Sequence, residues 1–393
     1  MTYDIRRLTP DDAEASFRLG SRAFGYADQP MPEPKPRPGQ VAWGVFDGAD
    51  LIGKAVDREQ SHWFGGRLVP ATGVASVAVA PEQRGRGIAT SLMTHLMTQA
   101  RARGAAIGTL FDTTAWPYRR TGWEEIGVRR VIAVPTLALA GFRTPPGFSL
   151  RAATETDVPV LLRMFRDSAR ASCAVMDRAE PIEDTTPAAY LANSHGTTIV
   201  TDPTGTIAGF CTWDRADGYH AEGTISVEDL IAVSPEAVTA LLGSIGGWAN
   251  VAPTARLFLP PQDPAFLIGA LAHAPTYRLD PWMLRVIDAP AAIAARGWSP
   301  QVSGAIDLAL RDPAGPWNSG DYRLVVEGGD GRLEPGGTGA VSIGPRGLAV
   351  LYAGGTAPDV LRRAGLLAGG DATTDAFLQA ATAGPAPTLR DYF

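Results

Sequence analysis

Apolar and polar positions along the first part of the chain alternate in a way that predicts strands and helices in turn. Residues 5–8 show the short alternation typical of a strand, and Thr9, followed by two acidic residues, predicts the start of an amphipathic helix. Residues 45–53 contain two apolar stretches around an Asp-Gly turn, which predicts a β-hairpin. The first part of the chain is therefore expected to be an α/β unit.

The same order of features recurs about 150 residues later. The opening strand and helix start return at residues 150–157, and the hairpin returns at residues 200–209. A third match follows in order, because Val-Ala-Pro-Glu at 79–82 corresponds to Val-Ser-Pro-Glu at 233–236. Three matches in one order predict an internal repeat. We expect one α/β unit at residues 1–142 and a second at 143–290, joined near a Thr-Pro-Pro-Gly stretch.

The remaining residues, 291–393, follow another pattern. Apolar stretches near 302–310, 322–326 and 347–351 are separated by Gly, Pro and Asp turns, and two helix-like stretches follow at 360–367 and 374–381. This order predicts a third domain of the α+β class. The predicted fold is thus α/β and α+β, with tandem α/β units followed by an α+β domain.

Composition and charge narrow the range of functions. The apolar share of 45% and the charged share of 19% are ordinary for a folded protein, and no apolar run approaches the length of a membrane span. The start of the chain has no signal-peptide pattern, so a cytoplasmic protein without a membrane partner is expected. A net charge of −6 argues against nucleic-acid binding and is compatible with a cationic substrate. The two cysteines and the scattered histidines show no ligand spacing, so no metal site is expected.

A glycine-rich turn marks the first candidate site. A β-rich stretch at 75–80 is followed by Pro-Glu-Gln-Arg-Gly-Arg-Gly, and helical spacing begins at Ile88. Gly85 and Gly87 allow the backbone to approach a ligand closely, and two arginines add positive charge. The order strand, turn, helix brings amides and the positive helix end to one point, which suits a phosphate or pyrophosphate. The alternative is a plain connection between a strand and a helix, with solvated arginines.

The loop and the strand before it resemble the GNAT acetyltransferase superfamily. Arg-Gly-Arg-Gly-Ile-Ala at 84–89 fits its Arg/Gln-x-x-Gly-x-Gly/Ala signature and follows a strand ending in Val-Ala-Pro. The resemblance implies acetyl-CoA as cosubstrate, with pantetheine bound by the backbone of Val77 and Val79. It implies that the pyrophosphate is bound by Arg84, Gly85, Arg86, Gly87, Ile88, Ala89 and Thr90. The next strand, at 106–111, would diverge and leave room for the thioester.

The second repeat lacks this loop. After Val-Ser-Pro-Glu it continues Ala-Val-Thr-Ala-Leu-Leu, with no Arg-x-x-Gly-x-Gly/Ala pattern. We therefore expect the second unit to keep the fold and to bind no acetyl-CoA.

A tyrosine follows the second strand of the predicted site. Amide formation from an amine and a thioester needs removal of a proton from the amine and protonation of the departing thiolate. Tyr118, in Tyr-Arg-Arg-Thr-Gly-Trp, fits the Tyr-x-x-x-Gly-aromatic pattern, and the superfamily resemblance implies that it protonates the thiolate. The neighbouring Arg119 and Arg120 would lower its pKa if they point at the phenol. The alternative is a packed aromatic residue.

Taken together, the repeat, the loop, the tyrosine motif and the final residues resemble the Eis (enhanced intracellular survival) family of aminoglycoside N-acetyltransferases over the full length. The resemblance implies a degenerate second GNAT domain, a sterol-carrier-protein-like third domain, hexamers, and aminoglycosides acetylated at one or more positions in antibiotic resistance. It implies that the carboxylate of Phe393 is the general base, where the alternative is a frayed terminus. It also implies an acceptor pocket at Phe24 and Asp28, with Tyr26, Trp63 and Phe64 as weaker candidates.

Two other functions remain open. The same architecture could acetylate another amine, such as lysine, a polyamine or a biosynthetic intermediate. The third domain could instead make the chain a lipid-binding protein. The intact loop and Tyr118 favour an enzyme, since a pure binding protein needs neither.

Overall fold

The computed structural model describes residues 3–26, 29–31, 37–179, 184–216, 218–269 and 271–393. The first half of the chain contains β1 (Asp4–Arg7), α1 (Ala13–Phe24), β2 (Gln40–Asp47), β3 (Asp50–Phe64), β4 (Arg67–Val79), α2 (Ile88–Ala102), β5 (Ile107–Phe111), α3 (Ala115–Arg119), β6 (Glu124–Pro135) and α4 (Thr136–Leu139).

The second half repeats this order of elements. It contains β7 (Ser149–Ala152), α5 (Val158–Arg170), α6 (Pro187–Ala192), β8 (Gly196–Thr201), β9 (Ile207–Arg215), β10 (Thr224–Ala232), α7 (Pro235–Gly246), β11 (Thr254–Phe258), α8 (Pro264–Ile268) and β12 (Thr276–Val286). The last part contains α9 (Ala289–Ala295), β13 (Gly304–Leu310), β14 (Gly320–Glu327), β15 (Asp330–Pro335), β16 (Val341–Ile343), α10 (Pro345–Ala353), α11 (Pro358–Arg363), β17 (Leu367–Gly369) and α12 (Ala372–Ala381).

One continuous sheet of twelve strands contains both repeats, in the order β1-β2-β3-β4-β5-β12-β6-β11-β10-β9-β8-β7. Read from its two edges, the sheet shows the same succession twice, β1 to β5 and β7 to β11. The halves exchange their last strands at the centre, because β12 pairs with β5 while β6 pairs with β11. The two units are therefore interleaved, and boundaries at 142 and 290 remain predictions.

Local contacts repeat as well as topology. Arg6 forms a two-point ion pair with Asp12, and Arg151 forms the same pair with Asp157. Each pair joins the first strand of a repeat to the start of its helix. The similarity of residues 5–12 and 150–157 thus reflects one recurring strand-to-helix connection.

The third domain is a five-stranded sheet, β15-β14-β13-β16-β17, covered by helices. Its apolar residues belong to one core together with strands of the large sheet. Phe64 of β3 lies 5.1 Å from Tyr352 of α10 between ring centroids, and Trp282 of β12 is fully buried in the same cluster. The third domain is therefore packed firmly against the α/β halves.

A buried ion pair joins the large sheet to this domain. Arg285 of β12 donates to Asp312 at 2.5 Å, and both side chains are 1% exposed. Replacing Asp312 by alanine leaves a buried guanidinium without its carboxylate, so we expect the free energy of unfolding to fall by roughly 3–5 kcal/mol. The exposed pair of Arg363 and Asp359 provides a control, since Asp359→Ala is expected to cost about 0.5 kcal/mol. Equal losses in chemical unfolding would contradict this account.

Candidate active site

The glycine-rich loop joins β4 to α2 and presents backbone amides to solvent. Gly85 and Gly87 both have φ of +79°, in the left-handed region that favours glycine. The amide of Ser91 is bonded to the carbonyl of Gly87, at 3.0 Å, so the amides of the first helical turn before it have no acceptor within the helix. A Cβ built on either glycine meets no atom within 4 Å, so no other part of the protein packs against the loop at these two positions. This arrangement suits an anionic group such as a pyrophosphate.

The loop is anchored on both sides. Ile88, the first residue of α2, is 2% exposed and packs against the sheet. The hydroxyl of Tyr3 donates to the carbonyl of Arg86 at 2.8 Å, and Arg22 of α1 pairs with Glu82 at 2.8 Å. The loop therefore keeps its shape while its amides stay accessible.

A cleft opens beside the loop where β4 and β5 separate. The two strands pair in parallel only from Ala71 to Gly73, and beyond that point β4 continues with β3 alone. The register of β4 also shifts there, and Ser76 has φ of +53°. Val77 and Val79 lie on this stretch, whose edge toward β5 carries no strand partner in the described structure. Backbone groups at such an edge can pair with an extended ligand that contains amides.

Tyr118 lies on α3, directly after this cleft. It packs against the apolar cluster between the sheet and α2. Burial raises its pKa to about 12, and the nearby Asp112 adds to the shift. The neighbouring arginines do not point at the phenol, so the condition under which they would lower this pKa is not met. Arg119 bonds to Glu124 at 2.6 Å, and Arg120 lies over the ring of Trp116, so the phenol keeps its proton at neutral pH.

Phe393 lines a cavity of about 380 Å³ that is enclosed by both halves of the sheet and by the last residues of the chain. Its ring lies 5.4 Å from that of Phe111, at the end of β5, and the guanidinium of Arg58 lies 5.4 Å from its centroid. The volume falls within the range of small-molecule sites.

The final residues are held in place. Arg129 donates to the carbonyl of Arg390 at 2.8 Å, and Arg178 donates to Asp391 at 2.9 Å. The amide of Thr388 is bonded to the carbonyl of Cys173, also at 2.9 Å. A frayed terminus is thus the wrong alternative for Phe393.

The predicted acceptor residue Phe24 is not brought together with Phe393. Phe24 is 47% exposed at the end of α1, stacks on Tyr26 and lies outside the cavity, while Asp28 lies outside the described residues. Trp63 and Phe64 are 3% and 0% exposed, so they are core residues rather than pocket walls.

Sequence reasoning missed the acidic residues of the second half that line the cavity. They include Glu228 and Asp229 on β10, and Asp184 before α6. The sequence feature that could have identified Glu228 and Asp229 is an adjacent pair of carboxylates inside an otherwise mainly apolar strand, Thr-Ile-Ser-Val-Glu-Asp-Leu-Ile-Ala. Asp112 was missed as well, although it lies close enough to Tyr118 to shift its pKa.

The interior of the third domain is nearly filled. The apolar cavity between its sheet and helices measures about 20 Å³, which accommodates roughly one water molecule. A lipid chain needs a far larger space, so this conformation does not favour the lipid-binding alternative.

Across the described ranges, no three His, Cys, Asp or Glu side chains are grouped as a metal site would require. Within the same part of the chain, no helix combines the length and apolar character needed to cross a bilayer.

Sequence models of known families match three consecutive parts of the chain. An acetyltransferase (GNAT) domain matches residues 4–126, and a second acetyltransferase (GNAT) domain matches residues 176–286. A sterol carrier protein domain matches residues 289–390. The predicted fold class, tandem GNAT units followed by a sterol-carrier-protein-like domain, is confirmed.

Similar proteins agree with these matches. An uncharacterized N-acetyltransferase of Streptomyces avermitilis is 26% identical over 360 residues, which cover 84% of each chain. The crystal structure of a GCN5-related N-acetyltransferase from Kribbella flavida is 30% identical, with a TM-score of 0.83 over 100% of this chain and 99% of that one. Eis1 from Mycobacterium abscessus shares the fold over the full length of both chains, with 24% identity and a TM-score of 0.75.

Proposed function

The chain belongs to the GCN5-related N-acetyltransferases, and on that premise we propose that its first half transfers the acetyl group of acetyl-CoA to a primary amine of a small cationic acceptor. The observation that carries the proposal is the free, anchored glycine loop beside the cleft where β4 leaves β5. The second half offers no such loop, so we propose one acetyl-CoA site per chain.

Acetyl-CoA supplies the activated thioester. The amides of residues 84–90 would bind its pyrophosphate, and the backbone of Val77 and Val79 would pair with its pantetheine arm. The family resemblance implies both assignments, and the geometry of the loop and the unpaired edge of β4 support them.

Two protons must move during transfer. Tyr118 would donate its proton to the departing thiolate, for which a protonated phenol is the required form. The carboxylate of Phe393 would accept the proton of the amine, directly or through water. An α-carboxyl group is a weak base, with an ordinary pKa of about 3.3–3.7, so it would act on an amine that has already lost part of its positive charge.

Aminoglycosides are the acceptors we propose first, as the Eis resemblance implies. Carboxylates and hydroxyl groups line the cavity together with Arg58, Arg129, Arg178 and Arg390, and the carboxylates support a cationic acceptor rich in hydrogen-bonding groups. Lysine, polyamines or a biosynthetic intermediate are the second candidates, since the predicted residues Phe24 and Asp28 give the proposal no further support. The hexamer and the cytoplasmic location remain predictions.

Mass spectrometry of amines incubated with acetyl-CoA and untagged protein tests the proposal. The panel includes several aminoglycosides, polyamines and lysine peptides. Mass gains of one or more acetyl groups on aminoglycosides would support the first choice, and gains only on other amines would retain the reaction and change the acceptor. Binding of acetyl-CoA without transfer to any amine would refute the proposed function.

The role of Phe393 has its own test. A short peptide tag added after Phe393 moves the carboxylate away from the cavity, so we expect kcat to fall by roughly 10²-fold while acetyl-CoA still binds. The same tag placed before the first residue is the control and should leave kcat unchanged. Equal activity of the two tagged proteins would rule out the carboxylate as the base.

A further inference from the structure

The second half retains a cleft that corresponds to the acetyl-CoA cleft of the first. Strands β10 and β11 pair in parallel from Thr224 to Val227, as β4 and β5 do up to Gly73. In both halves the register of the long strand shifts just beyond the last parallel pair, and in β10 the extra residue is Glu228. Glu228 thus occupies, in the second half, the position of the irregular stretch around Ser76 in the first.

This second cleft cannot hold a pyrophosphate in the same way. Helix α7 begins with Pro235, which has no amide hydrogen, and the hydroxyl of Ser234 accepts the amide of Ala237 at 3.2 Å. The start of the helix is therefore capped by its own side chain, whereas α2 begins behind the bare Gly87. The cleft of the second half is therefore better suited to a ligand without a pyrophosphate.

The last residues of the chain close one side of this cleft. Arg178 bonds to both Asp229 and Asp391, which fixes the final segment to β10. The guanidinium of Arg129 lies 3.7 Å from the ring centroid of Phe258, at the end of β11. The cavity of about 380 Å³ lies between β10 and the final segment, and both Glu228 and Phe393 line it, so a single ligand can contact both residues.

Glu228 differs from Asp229, its neighbour in the cavity wall. Asp229 is fully buried and paired with Arg178, but the side chain of Glu228 is 41% exposed. Arg129 lies 3.1 Å from its carboxylate and is shared with Asp280. Burial, together with the charges of neighbouring carboxylates, outweighs this arginine and raises the pKa of Glu228 to about 6. A positive charge placed beside Glu228 would therefore stabilise its ionised carboxylate.

We propose that Glu228 binds a second, non-reacting ammonium group of the acceptor, while the reacting amine lies at Phe393. The degenerate half then serves as the docking wall for the acceptor, and the preferred acceptors carry at least two amino groups. Hydroxyl and amide groups along the same wall, from Thr185, Asn193, Ser194 and Thr212, hydrogen-bond the remainder of the acceptor. The inference rests on the proposed acetyl transfer and specifies its substrate class.

Kinetics with putrescine and n-butylamine test the proposal, because the two have the same carbon chain and differ by one amino group. In the unmodified protein, kcat/KM for putrescine exceeds that for n-butylamine by about tenfold or more, through a lower KM. Glu228→Gln removes most of this preference and leaves acetyl-CoA binding intact. Glu155→Gln removes the same charge from an exposed position of the second half and keeps the preference.

A calorimetric titration of putrescine without acetyl-CoA separates this inference from the proposed function. We expect putrescine to bind the unmodified protein about tenfold more tightly than it binds the Glu228→Gln variant. Acetyl transfer with no preference for the diamine, or equal binding by the two proteins, would overturn the role of Glu228 and leave the proposed function standing. Absence of transfer to every amine would refute the proposed function, and the titration would still decide whether Glu228 binds an ammonium group.

Discussion

Replacing Tyr118 by phenylalanine is expected to lower kcat for acetyl transfer by about 10²–10⁴-fold, the usual contribution of a positioned acid. The aromatic ring would keep its packing against the cluster beside α2, so the KM for acetyl-CoA should change little. The loss arises because the pKa of about 12 keeps the phenol protonated and able to protonate the thiolate. Steady-state kinetics with saturating acceptor measures the effect.

The direction of the pKa shift also fixes the pH dependence. Since the acid is lost only when the pH approaches the raised pKa of Tyr118, the rate should rise as the amine loses its proton and should not decline below about pH 10.

The control for Tyr118→Phe is Tyr277→Phe, which removes a hydroxyl group from an exposed tyrosine of β12 and should leave kcat unchanged. Full activity of the Tyr118→Phe protein would show that another group protonates the thiolate.

The second large effect is expected at the glycine loop. Gly87→Val places a β-branched side chain at a φ of +79° and adds bulk to the open space beside the loop. We expect the Kd for acetyl-CoA to rise by about 10²-fold, because both the loop conformation and access to the amides are lost. Isothermal titration calorimetry measures the change.

A matched variant separates cofactor binding from backbone strain. Gly205 has φ of +84° in the turn between β8 and β9, and a Cβ there also meets no atom within 4 Å. Gly205→Val therefore introduces comparable strain away from the loop and should leave the Kd unchanged. Similar weakening in both variants would mean that strain, and not the loop, controls binding.

Features that depend on local chemistry could be predicted from the sequence. The hairpins, the strand-to-helix connections and the glycine loop are each specified by a few adjacent residues, such as the Asp-Gly turn or Gly85 and Gly87. Their recurrence in one order was sufficient to identify the repeat. The third domain followed from a change in the spacing of apolar stretches.

Features that depend on contacts between residues far apart in the sequence could not be predicted from the sequence. Strands β6 and β12 carry no local sequence feature that indicates that they cross between the halves. The orientation of the arginines beside Tyr118 could not be predicted either, because it depends on their contacts with Glu124 and Trp116. Glu228 becomes part of the cavity wall only because the final segment of the chain, which is far from it in sequence, lies against β10. Arg178 holds the segment there by pairing with both Asp229 and Asp391.

A structure of the protein crystallised with CoA tests the central claim most directly. We predict one CoA per chain, with its pyrophosphate within hydrogen-bonding distance of amides in residues 84–90 and its pantetheine arm between β4 and β5. The cleft between β10 and β11 should contain no CoA. CoA bound in that second cleft, or bound away from the glycine loop, would contradict the account.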